Sequence, residues 1–436
     1  MSWRGRLSRG CLAGARWALY ASVLAPLVYT TRSVYPFVVP AALWFRLTVS
    51  AAGVLAAAAA LSGGLRVHPG RDPVAGAMAL FLAAGAVAAL AGEAPLHSLF
   101  GSYERMGGVV AWAHYLALYV LLRAVLDREA WTGFLWLLVA STALVAGIGA
   151  LQAWGGAAGW HPLLGMDRVQ ATLGNPGFLS IHLLLGLVAC GLLARRVSDA
   201  PSRALVAAIG LLEASVLMLS TIRSSLLALV AGLVAGAAAL ALAGTSRSAR
   251  RLAAGAAALV AVAAGGLWLG RGTEAVRSIP TLEQTAETGL GESSLQTRFA
   301  AWEAGLAGVA ADPVLGVGPE NYRLVFARHF PPRLHRIRSG TPPYFDEAHD
   351  DYLESAVETG LVGFLAFLLF WAAAGRRAWR LVRRGRDPPT AALVVAGVVA
   401  YAVFLLAWFR TPTTFPAFVA LLAYAGAVRH DGEAWL

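Results

Sequence analysis

A histidine beside a run of acidic residues, leading into an apolar stretch, is the combination in this sequence best suited to chemistry. The stretch AHDDYLESAVETGLVGFLAFLLFW spans residues 348–371, and its second residue is His349. A histidine with an ordinary pKa near 6.5 can accept a proton from an attacking hydroxyl. The pattern predicts one helix without a Gly or Pro break, with a reactive polar mouth and an apolar part that enters a bilayer.

Helical spacing gives this predicted helix two distinct faces. The first face carries small residues that would let another backbone approach closely. Its members are His349, Leu353, Ala356, Gly360 and Gly363. The second face carries Asp350, Glu354 and Glu358. Because a carboxylate inside lipid costs about 2.5–3.5 kcal/mol on insertion scales, we expect this face to contact protein or a water-filled cavity.

Two isolated arginines complete the reactive set. Arg223 lies in STIRSS, residues 220–225, at a predicted turn between two apolar segments. Arg298 lies in the first turn of a predicted amphipathic helix over 293–313, where a cation opposes the helix dipole. Arginine binds phosphate through a planar fork and stabilises charge on a diphosphate leaving group. With His349, the set indicates group transfer from a lipid diphosphate to a hydroxyl; the simpler alternative for Arg223 is a side chain that reaches lipid head groups.

Other polar residues on the same side are candidates for substrate binding. They are Tyr103 and Arg105 in the loop 93–108, Arg168 and Asn175 in 159–177, Arg338 in a basic strip, and Tyr352 after the histidine. Ordinary explanations exist for several of them. Asn175 before Pro176 is a good helix cap, and the basic strip suits a loop facing lipid phosphates. A helix N-terminus is also a ready anion site, which favours a phosphate role for Asn175 and Arg168.

The acids around His349 raise the alternative of a metal site. Carboxylates of Asp346, Glu347, Asp350 and Asp351 are the kind of ligand that hard cations take. The same acids also suit a solvated loop and a helix N-terminus. We expect no metal and no cofactor. Motifs for nucleotide binding or acyl hydrolysis are missing, so a membrane-carried donor would have to supply the energy.

Composition predicts an all-α polytopic membrane protein. The 436 residues are 58% hydrophobic and 14% charged, with a mean hydropathy of +0.64. This leaves too little polar surface for a soluble globule of this size. About twelve segments approach the ~20-residue spanning length. They are 17–36, 41–62, 73–92, 108–126, 131–154, 176–194, 203–221, 224–243, 250–270, 351–374, 388–409 and 412–428.

The net charge of +11 indicates topology and not a nucleic-acid partner. The sequence has no lysine, and its arginines fall in alternate loops. By the positive-inside rule these loops and both termini are cytoplasmic. The chain then divides into spans 1–9 over 1–270, one large outward loop over 271–350, and spans 10–12 over 351–436. We interpret the first apolar run as a retained span, because no clear signal cleavage site follows it.

Several motifs together resemble the O-antigen ligase and polymerase family of bacterial membrane glycosyltransferases. The motifs are LGNP at 173–176, TIRSS at 221–225, R-x-x-x-W from Arg298, DPVLGVGPENY at 312–322 and AHDDYLESAVETGLVG at 348–363. Their order and spacing match over most of residues 95–375. The family often has Asn after the histidine and at the end of GNPN, where this chain has Asp350 and Gly177.

The resemblance implies a GT-C-like helical bundle in the bacterial inner membrane, with a helical periplasmic loop and an active site facing the periplasm. It implies inverting, metal-independent transfer from an undecaprenyl-diphosphate-linked glycan, with Arg223 and Arg298 on the diphosphate and His349 catalytic. The preferred acceptor is a lipid A core sugar. The alternatives are a glycan polymerase, a protein O-oligosaccharyltransferase using the same donor or, outside enzymes, a transporter of lipid-linked glycans.

Overall fold

The structure is a computed structural model that describes residues 3–65, 72–153, 168–220, 222–243, 293–337 and 344–428, with scattered positions between 247 and 274. The described residues form helices and contain no strand, which confirms the all-α class. The helices are α1 (Trp3–Ser22), α2 (Val38–Leu61), α3 (Pro73–Ala91), α4 (Pro95–Phe100), α5 (Val109–Val125), α6 (Arg128–Ala153), α7 (Pro176–Ala194), α8 (Ala200–Leu219), α9 (Arg223–Ala243), α10 (Ser293–Ala311), α11 (Tyr322–Arg328), α12 (Leu334–Ile337), α13 (Asp351–Arg384), α14 (Pro388–Phe404) and α15 (Phe415–Ala427).

Seven of the described helices are long and apolar enough to cross a membrane, and three shorter apolar helices accompany them. They correspond to every predicted span except the first and the ninth. The ninth, 250–270, lies largely outside the described residues. Large apolar side chains such as Leu43, Leu47 and Val54 on α2 point outward, as lipid-facing residues do. The prediction of a polytopic membrane protein is confirmed.

The predicted first span, 17–36, is wrong. Helix α1 ends at Ser22, a single 3-10 turn occupies Ala25–Leu27, and α2 begins only at Val38. Pro26 and Pro36 lie in the interval, and proline cannot donate a helical hydrogen bond. The apolar composition of the interval therefore does not make it a helix.

The helix after His349 is broken at Gly360, so the expectation of an uninterrupted helix is wrong. Gly360 has φ 60° and ψ −169°, and it divides α13 into residues 351–359 and 361–384. The loop 313–318 pairs with the broken backbone. The N–H groups of Leu361, Val317 and Gly318 donate to the carbonyls of Pro313, Val357 and Glu358 at 2.8, 3.1 and 2.9 Å. A Cβ atom on residue 360 would lie 2.2 Å from the Val314 carbonyl oxygen, which explains the glycine.

The break also changes the predicted faces of this helix. His349 precedes α13 and Gly360 is not helical, so the predicted small-residue face from 349 to 363 is wrong. The acidic face meets protein, as expected. Glu354 and Glu358 are buried, and a carboxylate oxygen of Glu358 accepts the Glu320 N–H at 2.5 Å.

Arginine-rich loops meet at one end of the bundle. Asp72 accepts hydrogen bonds from both Arg123 and Arg377, and Arg16 pairs with Asp127 at 2.6 Å. Arg123 and Asp127 are four residues apart, so these two groups of ion pairs lie close together. The loops that make them are therefore at one end of the bundle, which we call the arginine-rich end. The predicted site residues that the structure describes lie at the other end, called here the site end. This common location agrees with the alternating arginine pattern.

Helix α7 lies in the middle of the bundle, packed against α6, α8 and α14, and most of its side chains are buried. At the site end, α10 and α11 pack on the start of α13 around a small core of their own. The members of this core include Ala301, Ala304, Tyr322, Phe326 and Ala348. The described part of the large loop is therefore fixed to α13 next to His349.

Candidate functional site

The N-terminus of α7 lies at the site end, and its first residues are buried. Asn175 has extended backbone geometry, and its Oδ1 accepts the N–H of Gly177 at 2.7 Å. Pro176 fills the first helical position. This confirms the predicted cap. At Gly177 a Cβ atom would lie only 2.2 Å from the indole of Trp408, so an aromatic ring rests against the bare backbone of this first turn.

The predicted turn between two membrane helices is confirmed, since α8 ends at Leu219 and α9 begins at Arg223. Arg223 is half-buried in the first turn of α9. The next residue, Ser224, accepts a hydrogen bond from Trp408 Nε1 at 2.7 Å. The arginine turn therefore lies beside the same indole as the α7 N-terminus.

Helix α10 supplies Arg298 and Trp302, one helical turn apart. Arg298 Nη1 donates to the Ala407 carbonyl at 2.9 Å, and its guanidinium carbon lies 5.9 Å from the centroid of Trp408. Trp302 Nε1 donates to the Ala348 carbonyl at 3.0 Å. The R-x-x-x-W spacing thus puts two donors on one face of α10. Arg298 is the sixth residue of α10, so the predicted first-turn position is wrong and the dipole penalty is weaker than expected.

His349 lies in the loop just before α13, not on the helix. Its backbone has φ 53°, a left-handed conformation that His tolerates better than most residues, and Asp350 caps the helix that follows. The ring nitrogen Nδ1 lies 3.2 Å from the Glu347 carbonyl. A neutral ring that donates from Nδ1 carries its lone pair on Nε2, the atom that can then accept a proton.

Aromatic rings surround the half-buried imidazole of His349. The centroids of Phe345 and Phe409 lie at 5.5 Å and that of Trp408 at 6.2 Å. Burial lowers the pKa of His349 to about 4, and the positive charge of Arg298 acts in the same direction. A ring with a pKa lowered in this way is neutral at pH 7.

Arg105 lies close to the same rings but has a carboxylate partner. It donates from Nε and Nη2 to Asp346 at 2.8 and 3.1 Å, and it stacks 4.8 Å from the centroid of Phe409. The loop that carries it is fixed by Glu320, whose buried carboxylate accepts the N–H groups of Ser102 and Gly107 at 3.1 and 2.6 Å. Burial raises the pKa of Glu320, and these hydrogen bonds oppose the rise.

The remaining predicted binding residues differ in their surroundings. Tyr103 is 56% exposed and meets Tyr35 edge to face at 5.9 Å. Arg168 is exposed. Tyr352 turns toward α14, where its hydroxyl donates to the Ala402 carbonyl at 3.2 Å, so helix packing accounts for it. Arg338 lies outside the described residues. Binding roles for all of these residues stay predictions.

The acids near His349 have protein partners. Asp346 pairs with Arg105, Asp350 caps α13 through the N–H groups of residues 352 and 353, and Asp351 pairs with Arg410. Within the described ranges no three His, Cys, Asp or Glu side chains form a group that could hold a metal ion. Hydrogen bonding and ion pairing therefore explain the acid-rich motif.

The segment 405–410 between α14 and α15 was missed by the sequence reasoning. The Ala407 carbonyl binds Arg298, Trp408 contacts three motifs, Phe409 contacts His349 and Arg105, and Arg410 pairs with Asp351. The sequence feature that could have indicated this segment is the run AWFRTPTT at 407–414. It places an arginine and two aromatic residues between two apolar helices.

Fold and site together define a helical, multi-pass membrane protein whose site end brings Arg298, the Arg223 turn and a neutral histidine against one indole. A model of the O-antigen ligase family matches residues 204–368 and confirms the resemblance carried by the motifs. The matched region contains Arg223, Arg298 and His349. Comparison with curated proteins gives no match. Over residues 204–368 the chain is thus similar to the O-antigen ligase family.

Proposed function

We propose that the protein is an O-antigen ligase of the bacterial inner membrane, which transfers a glycan from undecaprenyl diphosphate to a hydroxyl of a lipid A core sugar at the periplasmic face. The observation that carries this proposal is the convergence of Arg298, Ser224 beside Arg223, and His349 on Trp408. Residues suited to hold a diphosphate and to accept a proton come from three separate parts of the chain and meet at one end of the bundle.

The proposed reaction is an inverting displacement. The acceptor hydroxyl attacks the anomeric carbon of the first sugar while the bond from that carbon to the diphosphate oxygen breaks on the opposite face. The hydroxyl proton moves to Nε2 of His349, whose ring is neutral because its pKa is lowered to about 4. Arg223 and Arg298 bind the diphosphate and stabilise the charge that grows on its leaving oxygen.

Other residues in the proposal bind the rest of the substrates. Asn175 caps the N-terminus of α7, and Arg168 precedes it in the chain. In the proposal both help to bind the anionic diphosphate. Tyr103 is exposed and offers an aromatic surface for a sugar ring. Arg105 acts through Asp346 and Phe409, which it holds beside His349. Tyr352 and Arg338 complete the proposed binding set.

Catalysis is proposed to need no metal ion and no cofactor. Arginine supplies the positive charge that a divalent cation would otherwise bring to the diphosphate. The carboxylates nearest the histidine are engaged with Arg105, Arg410 and the N-terminus of α13. Transfer should therefore continue in a chelator, and activity lost with EDTA and restored by Mg²⁺ or Mn²⁺ would contradict this part of the proposal.

The acceptor is tested by supplying purified protein in lipid vesicles with polyprenyl-diphosphate-linked glycan and each acceptor in turn. A ligase modifies lipid A core, a polymerase extends the glycan, and an O-oligosaccharyltransferase modifies protein. A transporter would instead move the labelled lipid-linked glycan across the vesicle membrane without any transfer. Product only on glycan or protein would replace the ligase assignment, and movement without product would overturn the enzyme assignment.

A further inference from the structure

Trp408 lies outside the residues matched by the family model, yet it contacts each element of the candidate site. Its contacts are a hydrogen bond to Ser224 at 2.7 Å, the Arg298 guanidinium at 5.9 Å, the His349 ring at 6.2 Å, Phe178 of α7 at 5.9 Å and the stacked Phe404 ring at 5.7 Å. The indole is 7% exposed. Trp408 therefore contacts α7, α9, α10 and His349, which lies in the loop before α13.

The hydrogen bond from Trp408 is a specific feature of this indole. Among the described residues, the buried indole nitrogens of Trp131 and Trp371 have no hydrogen-bond partner. Burial in this bundle thus does not by itself supply a partner for an indole. The bond to Ser224 fixes the rotation of the Trp408 ring, and Ser224 adjoins Arg223 in the first turn of α9.

Gly177 and Trp408 are matched in size. A Cβ atom at residue 177 would lie 2.2 and 2.3 Å from the far carbons of the indole six-membered ring, which a phenyl ring lacks. The absence of a side chain at this position lets the indole lie against the first turn of α7.

We propose that Trp408 is a positioning residue of the transferase site, which fixes the Arg298 guanidinium and the His349 ring relative to the Arg223 turn and the α7 N-terminus. This inference rests on the proposed function and adds a residue to it. Arg298 Nη1 is held by the carbonyl of the neighbouring Ala407, so a rotation of the 407–408 backbone moves both the guanidinium and the ring beneath it.

The first test compares Trp408→Phe, Ser224→Ala and Trp131→Phe in the glycan transfer assay. Trp131 is a matched control because it is buried, lacks a hydrogen-bond partner and packs on Tyr424 near the arginine-rich end. Trp408→Phe should lower kcat by about 10- to 100-fold with little change in KM, since small misplacements of reacting groups are costly. Ser224→Ala should show part of this loss. Unchanged kcat, or a loss equal to that of Trp131→Phe, would overturn the proposal.

The second test uses the size match. Gly177→Ala should impair transfer because its methyl group collides with the indole, and Trp408→Phe should partly restore transfer in the Gly177→Ala background. The double variant should therefore be more active than the product of the two single effects. Losses that multiply strictly would mean that Gly177 and Trp408 act independently. This outcome would overturn the proposal that their contact positions the site.

A third measurement separates this inference from the proposed function. The reaction of His349 with diethyl pyrocarbonate, followed by peptide mass spectrometry across pH, reports its protonation without any substrate. The charged groups that face the ring are Arg298 on α10, Arg105 on the 101–108 loop and Asp346 on its own loop. If Trp408→Phe releases Arg298, the midpoint of modification should rise. A midpoint that stays unchanged overturns the positioning role, whereas wild-type protein that transfers no glycan overturns the proposed function alone.

Discussion

The guanidinium of Arg410, which is mostly covered, donates to the buried carboxylate of Asp351. The rings of Trp112 and Phe367 lie 4.8 Å from the guanidinium. The N–H of Asp351 also donates to the Leu405 carbonyl at 2.9 Å. The pair therefore fastens the segment 405–410, which carries Trp408, to the first turn of α13 beside His349.

Removing one partner of this pair should destabilise the protein strongly. Arg410→Met leaves the Asp351 charge buried without compensation, and we expect a loss of about 3–5 kcal/mol of unfolding free energy. Replacing both residues, Arg410→Met with Asp351→Leu, should recover part of the loss. Arg328→Met is the control, since it pairs with Glu93 at an exposed position, where ion pairs contribute little to stability. Chemical unfolding in detergent measures all three, and equal losses for Arg410→Met and Arg328→Met would contradict the prediction.

Gly360→Ala should disrupt the break in α13. Alanine does not tolerate the Gly360 backbone conformation, and its Cβ atom would collide with the Val314 carbonyl oxygen. The expected cost is about 1–3 kcal/mol or more, with loss of the docked loop 313–318. Gly375→Ala in the same helix meets no atom within 4 Å and should be neutral or slightly stabilising. Thermal unfolding and protease sensitivity near residue 315 provide the measurement, and a stable Gly360→Ala protein would show that the break is not required.

Lysine should not replace either proposed diphosphate arginine. Arg223→Lys and Arg298→Lys keep the charge but lose the planar fork, so each should lower transfer by about 10² to 10³. Arg336→Ala, at an exposed position of α12, is the control and should keep most activity. Transfer is measured at equal amounts of folded protein. Equal losses in all three variants would mean that the assay reports general electrostatics and not a site.

Replacement of His349 should remove the proposed base. His349→Ala and His349→Asn should each lose about 10² to 10⁴ in transfer rate. Asparagine tolerates the left-handed backbone of this position, so the two variants separate lost chemistry from backbone strain. Near-wild-type transfer by His349→Asn would show that residue 349 positions the substrate and is not the base.

The pH profile should show where His349 titrates. Burial and Arg298 lower its pKa to about 4, so the neutral base persists as pH falls through the usual histidine range and is lost only below about 4. We therefore expect kcat/KM to stay level from pH 8 to about 5 and then to fall about tenfold per pH unit below the pKa. An acid limb near 6.5 would mean that the ring is solvated and unperturbed in the free enzyme.

The sequence by itself determined the class of the protein and most of its helices. Apolar segments of spanning length predicted nearly all the membrane helices, because a backbone in lipid must satisfy its own hydrogen bonds and so becomes helical wherever composition permits. Asn175, the Arg223 turn and the Arg298 helix were also readable, since capping, tight turns and amphipathic spacing depend on neighbours in sequence. The predicted first span, 17–36, was wrong because α1 ends at Ser22 and Pro26 and Pro36 lie in the non-helical interval before α2.

Tertiary structure decided how these parts form a site. Gly360 breaks α13 because the loop 313–318, distant in sequence, supplies the hydrogen bonds that a continuous helix would otherwise make. Trp408 and Arg410 matter because of partners located 59 to 231 residues away, at Asp351 and Gly177. The pKa of His349 is lowered because the surrounding protein buries the ring and Arg298 lies near it. Burial and long-range contact set these properties, and no local pattern of residues encodes them.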